Sequence, residues 1–362
     1  MHFIDLKPQY QALRDDIAER MQRVLDHGQF ILGPEVDELE RELANVTGST
    51  YCVTVASGTE AMLMALMAAG IGPGDEVIVP AFTFAATAEV VVLAGAAPVF
   101  ADVDLDTGLL TAATMASCIG PRTKAVIPVS LYGQCCDMTT LGLLAQQYAL
   151  FVIEDAAQSF GATFNGVRSC NLSAMGCTSF FPSKPLGCYG DGGAVFTNDA
   201  TLAQALREIR IHGQSKRYWH TRIGVGGRMD TLQCAVLLAK LKRFLWELDR
   251  RAEIGARYDA LLPPNALPMA RQAGSTHVHA QYTVRVRDRE QVMARMQASG
   301  VPTAVHYPVP LSAQPAYAAY AAPGGTTASK QLAREVLSMP MSADLATLDQ
   351  DRVLDALTAA LN

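Results

Sequence analysis

The reactive chemistry this sequence offers centres on one lysine. Lys184 stands in Thr178-Ser179-Phe180-Phe181-Pro182-Ser183-Lys184-Pro185-Leu186-Gly187, with Asp191-Gly192-Gly193 just behind. Apolar neighbours and prolines hold such a side chain rigidly, and desolvation lowers the pKa of its amine and makes it a nucleophile toward carbonyls. A solvated loop lysine is the commoner fate, but the adjacent glycines and Ser179 weigh against it here. A second stretch, Glu154-Asp155-Ala156-Ala157-Gln158, follows the apolar Phe151-Val152-Ile153. An acid at the tip of a buried strand is either a loop cap or the partner of a cation in a crevice. The third stretch is Ser57-Gly58-Thr59-Glu60, between a strand and a helix. Free amides, an aligned dipole and a close-approach glycine suit a phosphate there, although Ser57 or Thr59 could equally be an ordinary helix cap. The fourth is Phe82-Thr83-Phe84 after Pro80. Either ring could cover a flat heterocycle, while aromatics at such places more often belong to the core.

These stretches need strands to carry them. Between about residues 50 and 200, β-branched runs alternate with Ala-rich segments of helical length. Strands are expected at Tyr51–Ala56, Glu76–Pro80, Ala97–Val103, Lys124–Val129 and Phe151–Glu154, and helices at Thr59–Ala69, Ala85–Ala94 and Thr139–Tyr148. Near-continuous apolar strands belong to a sheet covered on both faces, and alternation with helices makes that sheet mostly parallel. Cys177–Phe181 and Gly193–Asn198 extend it, and the second of these could run antiparallel. All four stretches then fall beyond the carboxyl ends of strands, where open parallel sheets bind ligands. Earlier, Gly33-Pro34-Glu35 opens a helix with Val36, Leu39 and Leu43 on one face and Gly48 as its stop. A long helix from Thr231 to Leu261 ends at Pro263-Pro264 and links to a smaller α+β unit. That unit has strands at Gln281–Val286 and Thr303–His306, helices at Arg289–Ser299 and from Thr347, and a surface loop over Pro315–Ser329. The expected domains are residues 1–245 and 246–362.

Composition excludes several classes. The 362 residues are half hydrophobic and 18% charged, with a formal charge of −6, which describes a folded globular protein. No basic cluster gives a footprint for nucleic acid. No apolar run reaches the roughly 18 residues of a membrane span, and the longest, Val90–Phe100, is broken by Gly95 and Pro98. The start, Met1-His2-Phe3-Ile4-Asp5-Leu6-Lys7, does not resemble an export leader, so a cytoplasmic protein is expected. The eight cysteines form no C-x-x-C and read as buried thiols, with no metal expected. The glycine patterns of dinucleotide folds and P-loops are absent.

A phosphate cup, an aromatic lid, a strand-end carboxylate and a caged lysine are together what pyridoxal 5'-phosphate requires. The chain also resembles the DegT/DnrJ/EryC1/StrS sugar aminotransferases. It does so from Phe3-Ile4-Asp5-Leu6 to the last helix, through Gly58-Thr59, Pro80-Ala81-Phe82-Thr83-Phe84, Tyr132-Gly133-Gln134, Glu154–Gln158 and the Lys184 loop. Ser169–Ser173 and Thr178–Gly193 are similar to the branch that aminates UDP-2-acetamido-2-deoxy-3-oxo-glucuronate at C3. The resemblance implies an α/β, aspartate-aminotransferase-like (type I) fold with a smaller C-terminal α+β domain. It implies a homodimer with shared active sites, L-glutamate as amino donor and a UDP-sugar acceptor bound for cell-surface polysaccharide (lipopolysaccharide O-antigen). It makes Lys184 the covalent anchor and proton carrier, Asp155 the partner of the ring nitrogen, Phe84 the stacking ring and Gln158 the partner of the ring hydroxyl. Gly58, Thr59 and Ser179 would hold the phosphate; Arg228, His306 and Tyr307 would reach the sugar nucleotide. Amination of a 4-keto sugar, a sugar dehydratase and a non-catalytic regulator are the alternatives; dehydratases of this family carry histidine in place of the lysine. One departure stands out. The family usually has an Asn two residues before that arginine, donated across the dimer to the phosphate, and this chain has Gly226-Gly227-Arg228. A backbone amide, a water or weaker cofactor binding would follow.

Overall fold

The computed structural model describes all 362 residues. Two helices lead, α1 (Lys7–His27) and α2 (Pro34–Thr47). Pro34 sits in the first turn of α2, and the helix closes on Gly48 at φ 71°, the left-handed geometry glycine adopts without a Cβ clash. Val36, Leu39 and Leu43 form its buried face, as expected.

The βα alternation then begins. β1 (Tyr51–Val55), α3 (Gly58–Ala68), β2 (Glu76–Pro80), α4 (Ala86–Leu93), β3 (Ala97–Ala101), α5 (Ala112–Ala116), β4 (Thr123–Val126), α6 (Met138–Gln147) and β5 (Phe151–Asp155) follow in order. A small hairpin, β6 (Thr163–Phe164) and β7 (Val167–Arg168), precedes β8 (Met175–Ser179) and β9 (Gly193–Thr197). Then come α7 (Ala200–Ile209), a second hairpin of β10 (Gln214–Lys216) and β11 (Trp219–His220), and α8 (Thr231–Leu261). The seven-stranded sheet runs β1-β9-β8-β5-β4-β2-β3. Its β2–β3, β2–β4, β4–β5 and β5–β8 pairs are parallel, and β9 is antiparallel to both neighbours. The antiparallel return anticipated at Gly193–Asn198 is therefore real. Val53, Val55, Val77, Val79 and Ile153 pack with α3 and α4, while Ile78, Val126 and Val99 pack with α6. Both faces are covered, which is why these strands carry apolar residues without alternation.

The last third holds β12 (Leu267–Pro268), β13 (Tyr282–Arg285), α9 (Arg289–Ala298), α10 (Thr327–Glu335), β14 (Val336–Met339) and α11 (Thr347–Leu361). Helix α8 gives Leu237, Leu238 and Phe244 to the core against α2, and Ile254 and Tyr258 to the core of this last unit. No helix is long and apolar enough to cross a membrane. All eight cysteines are buried, unpaired thiols.

Two expectations differ from the structure. Thr303–His306 is not a strand: Ala304 forms a single bridge with Ser338. Pro302, Pro308 and Pro310 flank it without N–H donors, so no ladder extends. Pro315–Ser329 is not a free loop. Tyr317 is buried against Phe100, ring centroids 5.7 Å apart, and Phe100 N–H donates to the Ala321 carbonyl at 2.9 Å. The segment straps the edge strand β3 and so covers its unpaired backbone. It then enters α10, where Asp102 accepts from the amides of Ala328 and Ser329 at 2.9 and 2.8 Å.

Candidate active site

The crevice lies at the carboxyl ends of β1, β2, β5 and β8. At the first of these, Ser57 caps α3, its Oγ accepting from Glu60 N–H at 3.1 Å. Gly58 and Thr59 follow, and the first amides of a helix have no helical acceptor. Here glycine is required by space. A Cβ on Gly58 would stand 2.6 Å from Ser179 Cβ, and one on Gly193 would stand 2.5 Å from the Ser57 carbonyl. Gly58, Thr59, Ser179 and the start of β9 thus form one backbone-lined cup. It fits an anion such as the phosphate of a cofactor.

Asp155 ends β5, buried. One oxygen accepts from Thr87 Oγ1 at 2.9 Å and the other from Ala157 N–H at 3.2 Å. Burial raises its carboxyl above the usual range, while those two donors and the charge of Lys184 oppose the rise. Lys184 rides on a tight turn whose Lys184 N–H donates to the Phe181 carbonyl at 2.9 Å. Burial lowers its amine and Asp155 acts the other way. Each feels the other's charge with no hydrogen bond between them, an arrangement that suits a ring lying between acid and amine.

The third wall comes from further along the chain. Gln158 accepts from Tyr132 N–H at 2.7 Å and donates to Tyr307 Oη at 3.2 Å. Tyr307 lies 6.0 Å from the Phe84 ring and 6.4 Å from Phe82, centroid to centroid. Phe82 is buried, as core aromatics are, whereas Phe84 is 56% exposed and so open to a flat partner. His306 bonds Ser338 Oγ through Nδ1 at 2.9 Å, and its carbonyl accepts from Tyr132 Oη. Burial and the charge of Lys184 push the His306 ring down to about 4, so it is neutral at physiological pH.

Arg228 stands apart from this wall, on the loop beside the cup. Gly227 ties that loop to the sheet, its carbonyl accepting from Ala56 N–H at 3.0 Å. The Arg228 guanidinium is half-buried, forms no ion pair, and its charge reaches Glu60, holding down a carboxyl that burial otherwise raises. Beside Gly226 stands His212. A Cβ on Gly226 would lie 3.2 Å from His212 Cε1, 3.3 Å from its Nε2 and 3.5 Å from an Arg228 nitrogen. The imidazole therefore borders the space that a side chain at 226 would enter.

Sequence reasoning singled out ten residues, and Lys184, Asp155, Gln158, Phe84, His306 and Tyr307 converge on one crevice beside the cup of Gly58, Thr59 and Ser179. It missed Thr87, which looks like any Ala-rich helix position, and His212. Tyr132 stood in view within Tyr132-Gly133-Gln134, yet only the structure gives it a task. It holds Gln158 and the His306 carbonyl together, at a φ of 60°.

The sequence profile of the DegT/DnrJ/EryC1/StrS aminotransferase family matches residues 11–358. The chain is 53% identical, over 99% of both chains, to the UDP-2-acetamido-2-deoxy-3-oxo-D-glucuronate aminotransferase of Pseudomonas aeruginosa. Its structure is similar to that of a DegT DnrJ EryC1 StrS aminotransferase from Brucella abortus, with TM-score 0.98, 41% identity and full coverage of both chains. It is also similar to NtdA from Bacillus subtilis with bound cofactor PMP, with TM-score 0.90 and 28% identity, covering 97% of this chain and 82% of that one.

Proposed function

Because this chain belongs to the DegT/DnrJ/EryC1/StrS aminotransferase family, we propose that it moves an amino group from L-glutamate to a keto UDP-sugar. The acceptor is UDP-2-acetamido-2-deoxy-3-oxo-glucuronate, aminated at C3, and pyridoxal 5'-phosphate is the cofactor. The amino sugar feeds a cell-surface polysaccharide of the lipopolysaccharide O-antigen kind, made in the cytoplasm. The observation that carries this reading is the desolvated Lys184 amine facing buried Asp155 beside a cup in which Gly58 and Gly193 leave no room for a side chain.

When bound, pyridoxal phosphate would supply an aldehyde carbon to carry the amino group and an electron sink for the proton shift. The chain's residues do the rest. Gly58, Thr59 and Ser179 hold the phosphate through amides and a hydroxyl. Asp155 keeps a proton on the ring nitrogen, as a carboxylate beside a cation does. Phe84 covers the ring face, and Gln158, fixed by Tyr132 and Tyr307, meets the ring hydroxyl. Lys184 is the covalent anchor; once released it carries a proton between the substrate carbon and the cofactor carbon. One amine serves both half-reactions, because they are the same shift run in opposite directions.

Arg228, half-buried without a partner, matches the need of a uronate, since its planar fork donates to a carboxylate at two points. His306 and Tyr307 border the sugar. The exposed Phe30, Ile31, Tyr218, Trp219 and Ile223 support a homodimer in which sites are shared. Retention of Lys184 speaks against a dehydratase, and the intact cup against a regulator without catalysis.

Glutamate alone tests the first half. Added to the cofactor-loaded protein, it should replace the visible absorbance of the bound aldehyde with that of the aminated cofactor. An unchanged spectrum would contradict the reading. Offering 3-oxo and 4-oxo UDP-sugars, each with and without the C6 carboxylate, then identifies the acceptor.

A further inference from the structure

A second lysine lies behind the first. Lys240 of α8 is 1% exposed, and its Nζ donates to the Gly187 carbonyl at 2.6 Å. Gly187 closes the turn that carries Lys184. The next amide, Cys188 N–H, returns to the Phe180 carbonyl at 2.8 Å, and Cys188 Sγ lies 3.0 Å from the same oxygen. A Cβ on Gly187 would meet the Pro182 carbonyl at 2.6 Å and that of Phe181 at 2.7 Å. The turn is wound as tightly as its backbone allows.

Helix α8 holds this turn at a second point. Gln233, two helical turns before Lys240 and on the same face, accepts from Tyr189 N–H through Oε1 at 2.8 Å. The Tyr189 ring then lies 4.3 Å from Lys240 Nζ, with Tyr10 of α1 against its edge at 6.2 Å. A buried ammonium is expensive, and a methionine would fill the same volume without that cost. Lys240 directs its ammonium at one carbonyl and one ring face, both belonging to the Lys184 turn, while the charge of Glu247 reaches it without a hydrogen bond. Burial lowers its amine to about 8, with Glu247 and Cys188 acting the other way.

We propose that Lys240, together with Gln233, is a positioning residue for Lys184. Helix α8 grips the backbone at Gly187 and Tyr189 and thereby sets where the Lys184 amine stands over the crevice. This inference rests on the assignment of Lys184 as the cofactor lysine.

The test uses the full chain, with Lys240→Met and Gln233→Ala as its principal variants and Lys240→Arg and Lys184→Ala as controls. In cofactor-free protein, hydrogen exchange of residues 181–189 should speed by about tenfold in Lys240→Met and about threefold in Gln233→Ala, with β1 and α3 unchanged. In loaded enzyme, Lys240→Met should shift the pH midpoint of the visible band. It should also lower kcat about tenfold, with KM for glutamate moving less than about twofold. Lys240→Arg should recover part of both, because it restores the donor. Unaltered exchange with an unaltered midpoint in Lys240→Met would overturn the proposal. If that variant does not fold, Gln233→Ala decides by the same two readings. A visible band that survives Lys184→Ala overturns the assignment of Lys184, and with it the positioning role, whatever the exchange rates show.

Discussion

Glu154 and Asp155 are neighbouring acids at the end of one strand, and side-chain alternation sends them to opposite faces of the sheet. On one face, Glu154 is fully buried among donors of its own chain. Ser169 Oγ stands at 2.8 Å, Cys170 N–H at 2.9 Å and Ser130 Oγ at 3.4 Å. On the other, Asp155 has Thr87 and one amide, and looks across the crevice toward Lys184. Burial raises both carboxyls, that of Glu154 to about 7. An acid saturated from within joins segments of the fold and has little left to offer a ligand. An acid left partly satisfied beside a desolvated amine is available to a third group.

Two arginines near β1 repeat the contrast. Arg210 is buried, paired with Glu40 at 2.6 Å and bonded to the Thr54 carbonyl at 2.9 Å, which locks α2 and α7 to β1. Arg228, half-buried nearby, forms no pair within the chain.

Removing the available acid should cost most. Asp155→Ala is expected to lower turnover by about 10²–10³-fold through lost electrostatic support, while circular dichroism and melting stay close to the parent. A fall under tenfold would erase the distinction between the two acids. Next comes the available arginine. Arg228→Ala should cut kcat/KM for the uronate acceptor by about tenfold or more, and far less for the same sugar without the carboxylate. Equal losses on both would remove its reading role.

The smallest effect on activity is expected from the saturated acid. Folded Glu154 holds its proton to about 7, against an ordinary 4.5. Its contribution to stability is complete below the unfolded value and is lost as pH rises through that window, then stays level. Glu154→Gln keeps an acceptor for Cys170 N–H, and its amide can donate to the Ser169 hydroxyl once that hydroxyl turns, so activity should remain within about threefold. The melting temperature should fall less between pH 5 and 8 than in the parent, by a few degrees at most. A large loss of turnover with an unchanged melting profile would reverse the roles assigned to the two faces.

Much of this contrast was legible in the chain. The apolar strands, the glycine after Ser57 and the proline-flanked lysine each state a local physical demand, and the structure meets those demands at the carboxyl ends of the strands of one sheet. What stayed hidden depends on distance along the chain. Thr87 reaches Asp155, and Lys240 reaches Gly187, only because the sheet order brings them together. Helix α1 could have been read, since Leu13, Ile17 and Val24 fall on one helical face. The bridge at Ala304 could not, because a strand-like run says nothing about the prolines' unpaired side. His212 beside Gly226 is a spatial neighbour fourteen residues back, beyond any local pattern.

The central claim is that one amine, Lys184, takes the cofactor covalently. Loading the protein with pyridoxal phosphate, reducing it with borohydride and mapping the peptides by mass spectrometry tests this directly. The account predicts a single phosphopyridoxyl group, on Lys184. A label on Lys240 or another lysine, or none at all, would contradict it.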